Sequence, residues 1–298
     1  DEVTYVILNP GVVEPYSMTF QRDEDYQQIS QEIRLTSPTD DMYEYMVGVF
    51  YFQSDWQSSE TQFWRTPNFP TTNPGQLFNG SFTNNFDQET ETKSVFGNFS
   101  YHFSERLSGT VGLRYTDEQK EVRFDRLMGT PVTLWNTVIN PSFVSAPQFS
   151  DSFVDGNAIL QFSINEDTNF YASYGVGTKT GGFSESSIIS SGNPLLDVSQ
   201  NGARVKSEEA HSLELGVKIM KLGGNTVINF SVFKTEVDDF QETSFQVIGQ
   251  NASFVTRNID VESEGAEIEA LWQFNSSWRM ESGIAYTDAI NTDENTTL

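Results

Sequence analysis

Residues 97–124, GNFSYHFSERLSGTVGLRYTDEQKEVRF, alternate apolar and polar positions on both sides of a short polar turn. Before the turn, Val95, Gly97, Phe99, Tyr101 and Phe103 share one parity. Ser94, Asn98, Ser100, His102 and Ser104 share the other, with Phe96 the exception. After it, Leu107, Val111, Leu113 and Tyr115 alternate with Ser108, Thr110, Arg114, Thr116, Glu118 and Lys120. A period of two sends neighbouring side chains to opposite faces, so the pattern predicts two strands, each with one apolar face. A soluble sandwich and a membrane barrel both alternate in this way. Length separates them. Soluble strands usually run about 5–6 residues, whereas a bilayer-spanning strand needs about 9–11. These two alternate over roughly 10–14 residues and carry aromatics near an end of the apolar face, as an interfacial girdle requires.

The hairpin recurs along the chain. Residues 26–36 set Ile29, Ile33 and Leu35 against Ser30, Glu32, Arg34 and Thr36, and the turn SPTDD at 37–41 leads into Tyr43, Tyr45, Val47, Val49 and Tyr51. Residues 153–164 and 169–179 form another pair around NEDT, with Leu160 and Phe170 on the apolar side. Residues 209–221 and 226–234 flank the Gly-rich turn LGGN. Residues 263–274, with Ile268 opposite in parity to Glu267 and Glu269, precede NSS and a last run from Trp278 to Tyr286. The expected fold is all-β, an antiparallel meander of about ten long strands in hairpins. Short connections near 37–41, 104–106, 165–168, 222–225 and 275–277 alternate with long ones near 57–90, 125–151, 181–206 and 243–257. Short turns at one rim and long loops at the other fit an outer-membrane barrel; a sandwich would scatter its long connections over both ends.

Composition agrees. The 298 residues hold 24 Phe and 11 Tyr, and hydrophobic residues reach only 37%, so no helical membrane protein is encoded. Cys is 0, which removes disulfides and thiolate metal sites. A net charge of −25 argues against nucleic acid as a partner. It fits solvated loops, or an exterior that attracts cations. The chain starts at Asp1 without a signal-peptide pattern and is read as a fragment or processed chain.

Several segments resemble the barrel of TonB-dependent outer-membrane receptors: SQEIRLTSP at 30–38, GLRYTDEQKE at 112–121 and FYASYGVGTKTGGFS at 170–184. LELGVK at 213–218, VFKTEVDDFQ at 232–241 and ESEGAEIEALWQFNSSWRMESGIAYTDA at 262–289 follow in the family's order. The resemblance spans roughly residues 24–290 and implies a bacterial outer-membrane location. It implies a plugged, 22-stranded barrel of which residues 1–298 are a middle part. The plug domain, the TonB box and the C-terminal strands are absent from this reading of the chain.

What the resemblance implies about function is uptake of a scarce solute, most readily a ferric siderophore, with cobalamin or an oligosaccharide behind it. Partners would be the TonB complex through the plug, the extracellular ligand, and outer-membrane lipid and lipopolysaccharide. The receptor would be a monomer, not an enzyme, and would need no cofactor. A passive porin-like channel and a surface β-sheet adhesin are the alternatives.

Ligand contacts in such a receptor fall on loops and the upper lumen. The candidates are Trp64, Arg65, Trp135, Lys179, Phe183, Phe254 and Arg257, because aromatics and cations suit a hydrophobic or anionic chelate. Loop packing or lipopolysaccharide contact is the plainer role for them. Glu32, Arg34, Arg114, Glu118, Lys120, Glu214, Lys218, Glu267, Glu269, Arg279 and Glu281 have lumen parity and are expected to form a wall of cross-strand charge pairs. His102 and His211, the only histidines, do not support a catalytic site. Asp23-Glu24-Asp25 and Asp293-Glu294 lack the spacing of a calcium loop, which leaves at most a weak surface cation site.

Overall fold

A computed structural model describes residues 2–7, 16–39, 42–65, 80–129, 143–185, 204–221, 225–248 and 251–293. Its strands are β1 (Glu2–Ile7), β2 (Tyr16–Thr36), β3 (Tyr43–Arg65), β4 (Gly80–Ser104), β5 (Leu107–Met128), β6 (Phe143–Ser145) and β7 (Gln148–Asn165). They continue with β8 (Thr168–Lys179), β9 (Gly182–Phe183), β10 (Arg204–Val205), β11 (Glu208–Lys221), β12 (Thr226–Ile248), β13 (Asn251–Asn275) and β14 (Trp278–Asn291). One 12-stranded sheet runs in the order β1-β2-β3-β4-β5-β7-β8-β11-β12-β13-β14, with β6 added beside β5. Every pairing is antiparallel, and the ten long strands follow one another as the hydrophobic pattern requires.

Register aligns the apolar positions into rows. Ile33, Val49, Val95, Tyr115 and Val154 lie side by side across five strands. Leu107, Phe162, Phe170, Val217, Phe230, Ile268 and Ile284 form a second row. On interior strands these side chains are open to the surroundings: Val95 is 54% exposed and Val154 56%. The opposite face is crowded, with Ser94 at 7% and Thr116 at 4%. Curvature explains the difference, because it spreads side chains on the convex face and crowds those on the concave one. Phe99, Leu113 and Leu160 are exposed on the convex face with these rows, and Arg114, Ser173, Lys218 and Glu267 take the opposite parity. The apolar band ends in aromatics. Tyr101 packs on Phe103 at 4.9 Å near one rim, and Trp272 on Phe274 at 4.3 Å.

The strands are longer than alternation predicts. β3 continues to Arg65 and β4 begins at Gly80, so most of the expected 57–90 loop is sheet. β5 continues to Met128, and the sheet resumes at Phe143. The expected long loop at 243–257 is replaced by paired strand, with Ile248 opposite Asn251. Lipid enforces apolar alternation only within the band; beyond it both faces meet water, and the period-two signal vanishes. From Gln53 to Arg65, β3 rises about 40 Å past the band at roughly 3.3 Å per residue.

The convex face of this protruding part is acidic. Asp23, Ser59, Asn85 and Asp125 form one row, Asp25, Gln57, Asp87 and Arg123 the next, and Gln27, Asp55, Glu89 and Glu121 a third. Glu91 and Lys93 follow on β4, their ion pair holding the Glu91 carboxyl below the usual carboxylate range.

Phe96, the parity exception, has a structural reason. Its ring lies on the concave face across from Gly48, in the space a side chain there would fill. Tyr171 covers Gly216 in the same manner. Such pairs let an aromatic shield the bare backbone of a strand glycine.

Candidate functional site

Residues 180–185 and 204–207, next to β8 and β11, turn inward over the concave face at the protruding end. Gly181 permits the turn, because a Cβ there would come within 2.4 Å of the Val205 carbonyl. β9 and β10 then pair as a short ribbon, Phe183 with Arg204 and Gly182 with Val205. Phe183 enters an apolar cluster with Phe86, Val122, Phe124 and Phe149, against which Trp56 packs. Trp56 meets Phe86 edge-on at 5.1 Å.

Polar ties fasten this strap to strands on both sides. Lys120 Nζ donates to the Gly181 carbonyl at 2.7 Å. Arg22, on β2, pairs with Glu185 at 2.7 Å. On the far side, Thr256 Oγ1 donates to Ser184 Oγ at 2.9 Å, and Gln241 Nε2 to the carbonyls of Thr180 and Lys206 at 3.2 and 3.0 Å. Lys206 Nζ reaches Asp239 at 2.9 Å, a hydrogen bond that raises the lysine's pKa. Asp239 sits at φ 54 in the bulge between Val237 and Phe240.

Strap and wall enclose an open cleft of about 360 Å³ lined by Gln88, Glu118, Lys120, Lys179, Gln241 and Phe183, with the Gly181–Gly182 backbone. Lys120 pairs with Glu118 at 3.0 Å and Lys179 with Glu208 at 3.3 Å. Two ammonium groups, each paired with a carboxylate, thus stand in the cleft beside amide side chains and an aromatic edge. Among the described residues no group of acidic and histidine side chains is arranged to hold a metal ion.

Of the sequence candidates, Lys179 and Phe183 come together in this cleft. Arg257 is paired across β12 and β13 with Glu242 at 3.0 Å and does not line it. Trp64 and Arg65 end β3 and Phe254 lies on β13, but their side chains fall outside the described residues, as does the whole of Trp135. Gln88 and Gln241 were missed, being neutral residues on strands. Lys120 and Glu118, expected as wall charges, also line the cleft. That wall also differs from expectation. Glu32–Arg34, Glu118–Lys120 and Arg279–Glu281 pair two residues apart along one strand, not across strands. Residues two apart share a face, and long side chains span that gap.

The model of the TonB dependent receptor-like β-barrel matches residues 3–298. The chain belongs to this family. Its members are receptors and transporters of the Gram-negative outer membrane, not enzymes, and this chain is part of such an outer-membrane barrel. Among solved structures it resembles the ferric yersiniabactin uptake receptor FyuA from Yersinia pestis, with a TM-score of 0.69 at 16% identity, covering 93% of this chain and 37% of that one. It also resembles the copper transporter OprC, with a TM-score of 0.62 at 15% identity, covering 97% and 42%. The ferric citrate transporter FecA in unliganded form gives a TM-score of 0.61 at 13% identity, covering 97% and 39%. At these identities the likeness is one of fold. The chain thus spans about two-fifths of the length of the receptors it matches.

Proposed function

We propose that this chain is the wall of an outer-membrane receptor that captures an anionic metal chelate, a ferric siderophore, and imports it with energy from the TonB complex. The observation that carries this reading is the cleft beneath the strap. It presents Lys120, paired with Glu118, and Lys179, paired with Glu208, beside Phe183 at the protruding end of the concave face, where a stronger anion could exchange for either carboxylate. A ferric chelate with anionic donors and an apolar backbone matches that lining. A plug domain and further wall strands, which the family resemblance implies, would complete the receptor and supply the contact with TonB. Trp64, Arg65, Trp135, Phe254 and Arg257 would add further ligand contacts.

Uptake of radioactive iron by cells expressing the full-length receptor tests the reading. Accumulation from one siderophore should depend on the receptor and stop when the proton gradient is collapsed. Lys120→Gln with Lys179→Gln should weaken ligand binding about tenfold or more, the scale of one lost charge-assisted contact. Uptake that continues without energy would favour a passive channel.

A further inference from the structure

Arg114 is held on the concave wall in a way the charge lattice does not explain. Its guanidinium lies 5.0 Å from the centre of the Phe50 ring and 5.6 Å from that of Phe96. NH2 donates to Ser94 Oγ at 2.9 Å and Nε to Thr116 Oγ1 at 3.3 Å. Both hydroxyls are buried and bond each other at 3.1 Å. Two neutral acceptors and two rings thus fix the plane of the fork without neutralising it. Among the described residues no carboxylate pairs with it, whereas Arg34, Lys120 and Arg279 on the same face each have one. Asp155 stands opposite in register, but the guanidinium leans away from it, toward β4 and β3.

We propose that Arg114 is a second anion seat, taking a carboxylate-bearing solute in the lumen below the cleft. Lys120 and Arg114 share one face of β5, six residues apart, or about 20 Å along the strand. A planar guanidinium matches a carboxylate with two parallel hydrogen bonds. Rings that already hold the fork spare the solute the cost of ordering it. A solute released from Lys120 and Lys179 would meet Arg114 next on the same wall. The inference rests on the uptake reading for the direction of travel, not for the chemistry of the seat.

The test uses citrate as the probe and the full-length receptor folded in detergent, with Phe50→Trp as a local reporter. Citrate is titrated against chloride at constant ionic strength. A saturable change in tryptophan fluorescence is expected. Arg114→Gln should raise the half-saturating concentration about tenfold or more. Arg114→Lys, which keeps the charge and loses the fork, should fall between, and Arg279→Gln, at a wall cation already paired with Glu281, should leave this signal unchanged. A flat titration, or an equal response in Arg114→Gln, overturns the seat. Should Phe50→Trp not fold, calorimetry of citrate binding to Lys120→Gln with and without Arg114→Gln gives the same comparison. Energised uptake with no citrate response removes the seat alone; a citrate response without energised uptake removes the uptake reading alone.

Discussion

The Phe96 ring occupies the space a side chain at Gly48 would need: a Cβ there would come within 2.5 Å of the Phe96 Cζ. Gly48→Val should therefore displace the ring and disturb Arg114 above it. Overpacking of this kind costs about 1–3 kcal/mol. Gly177, with nothing within 4 Å of its Cβ position, supplies the control. Gly177→Val should shift stability by no more than about 0.5 kcal/mol. Heat-modifiable gel mobility of the full-length protein should show a lower unfolding temperature for the first variant only.

Adjacent residues on β13 should respond in opposite ways. Ile268 sits in the convex row between Phe230 and Ile284, while Glu267 faces the other side with Ser231 and Ala285 as neighbours. Ile268→Arg should cost about 2–4 kcal/mol if it lies near the bilayer midplane. Glu267→Leu should leave insertion intact. Yield of folded barrel in membranes reads both, and equal damage would place β13 in a different register.

The ion pair between Arg22 and Glu185 ties the strap to β2, with Arg22 one-third exposed and Glu185 one-tenth. A pair of this exposure contributes about 1 kcal/mol or less. Glu185→Gln should speed amide exchange in residues 181–184 by up to about fivefold and leave the barrel's unfolding temperature unchanged. No change in exchange would mean that the pair does not hold the strap.

Phe183 should matter more than that pair. It is buried among Phe86, Val122, Phe124 and Phe149, so Phe183→Ala opens a cavity in the only apolar cluster among the described residues. Phe→Ala in a packed core costs about 3–5 kcal/mol. The strap should become sensitive to protease while the strands stay protected. An intact strap would assign its fastening to the polar ties instead.

Within the lipid band the sequence was readable because the solvent there is unforgiving: Val95, Phe99 and Leu113 could face only one way. The strands of β12 and β13 past Val237 were not, since Gln241, Thr243, Thr256 and Asn258 are polar on a sheet that water reaches from both sides. The cleft was half readable. Lys179 and Phe183 mark where a strand gives way to a loop. Gln88 and Gln241 carry no such mark, and only the fold brings them together from strands far apart in sequence. Arg114 was visible as a charge on the concave face; its rings, Phe50 and Phe96, were not visible as its holders.

The acidic rows on the outside of the protruding strands give the receptor a directional electrostatic profile. A negatively charged solute approaching from the side meets Asp23, Asp55 and Glu89 before anything else. Their field reaches only about one Debye length, near 10 Å at 0.1 M salt, so it deflects such a solute at close range. Along the axis, on the proposed path, the same solute would find Lys179, Lys120 and then Arg114. Under the proposed uptake, the outer wall would act as a fence and the inner wall as a track, and together they would favour entry from the mouth.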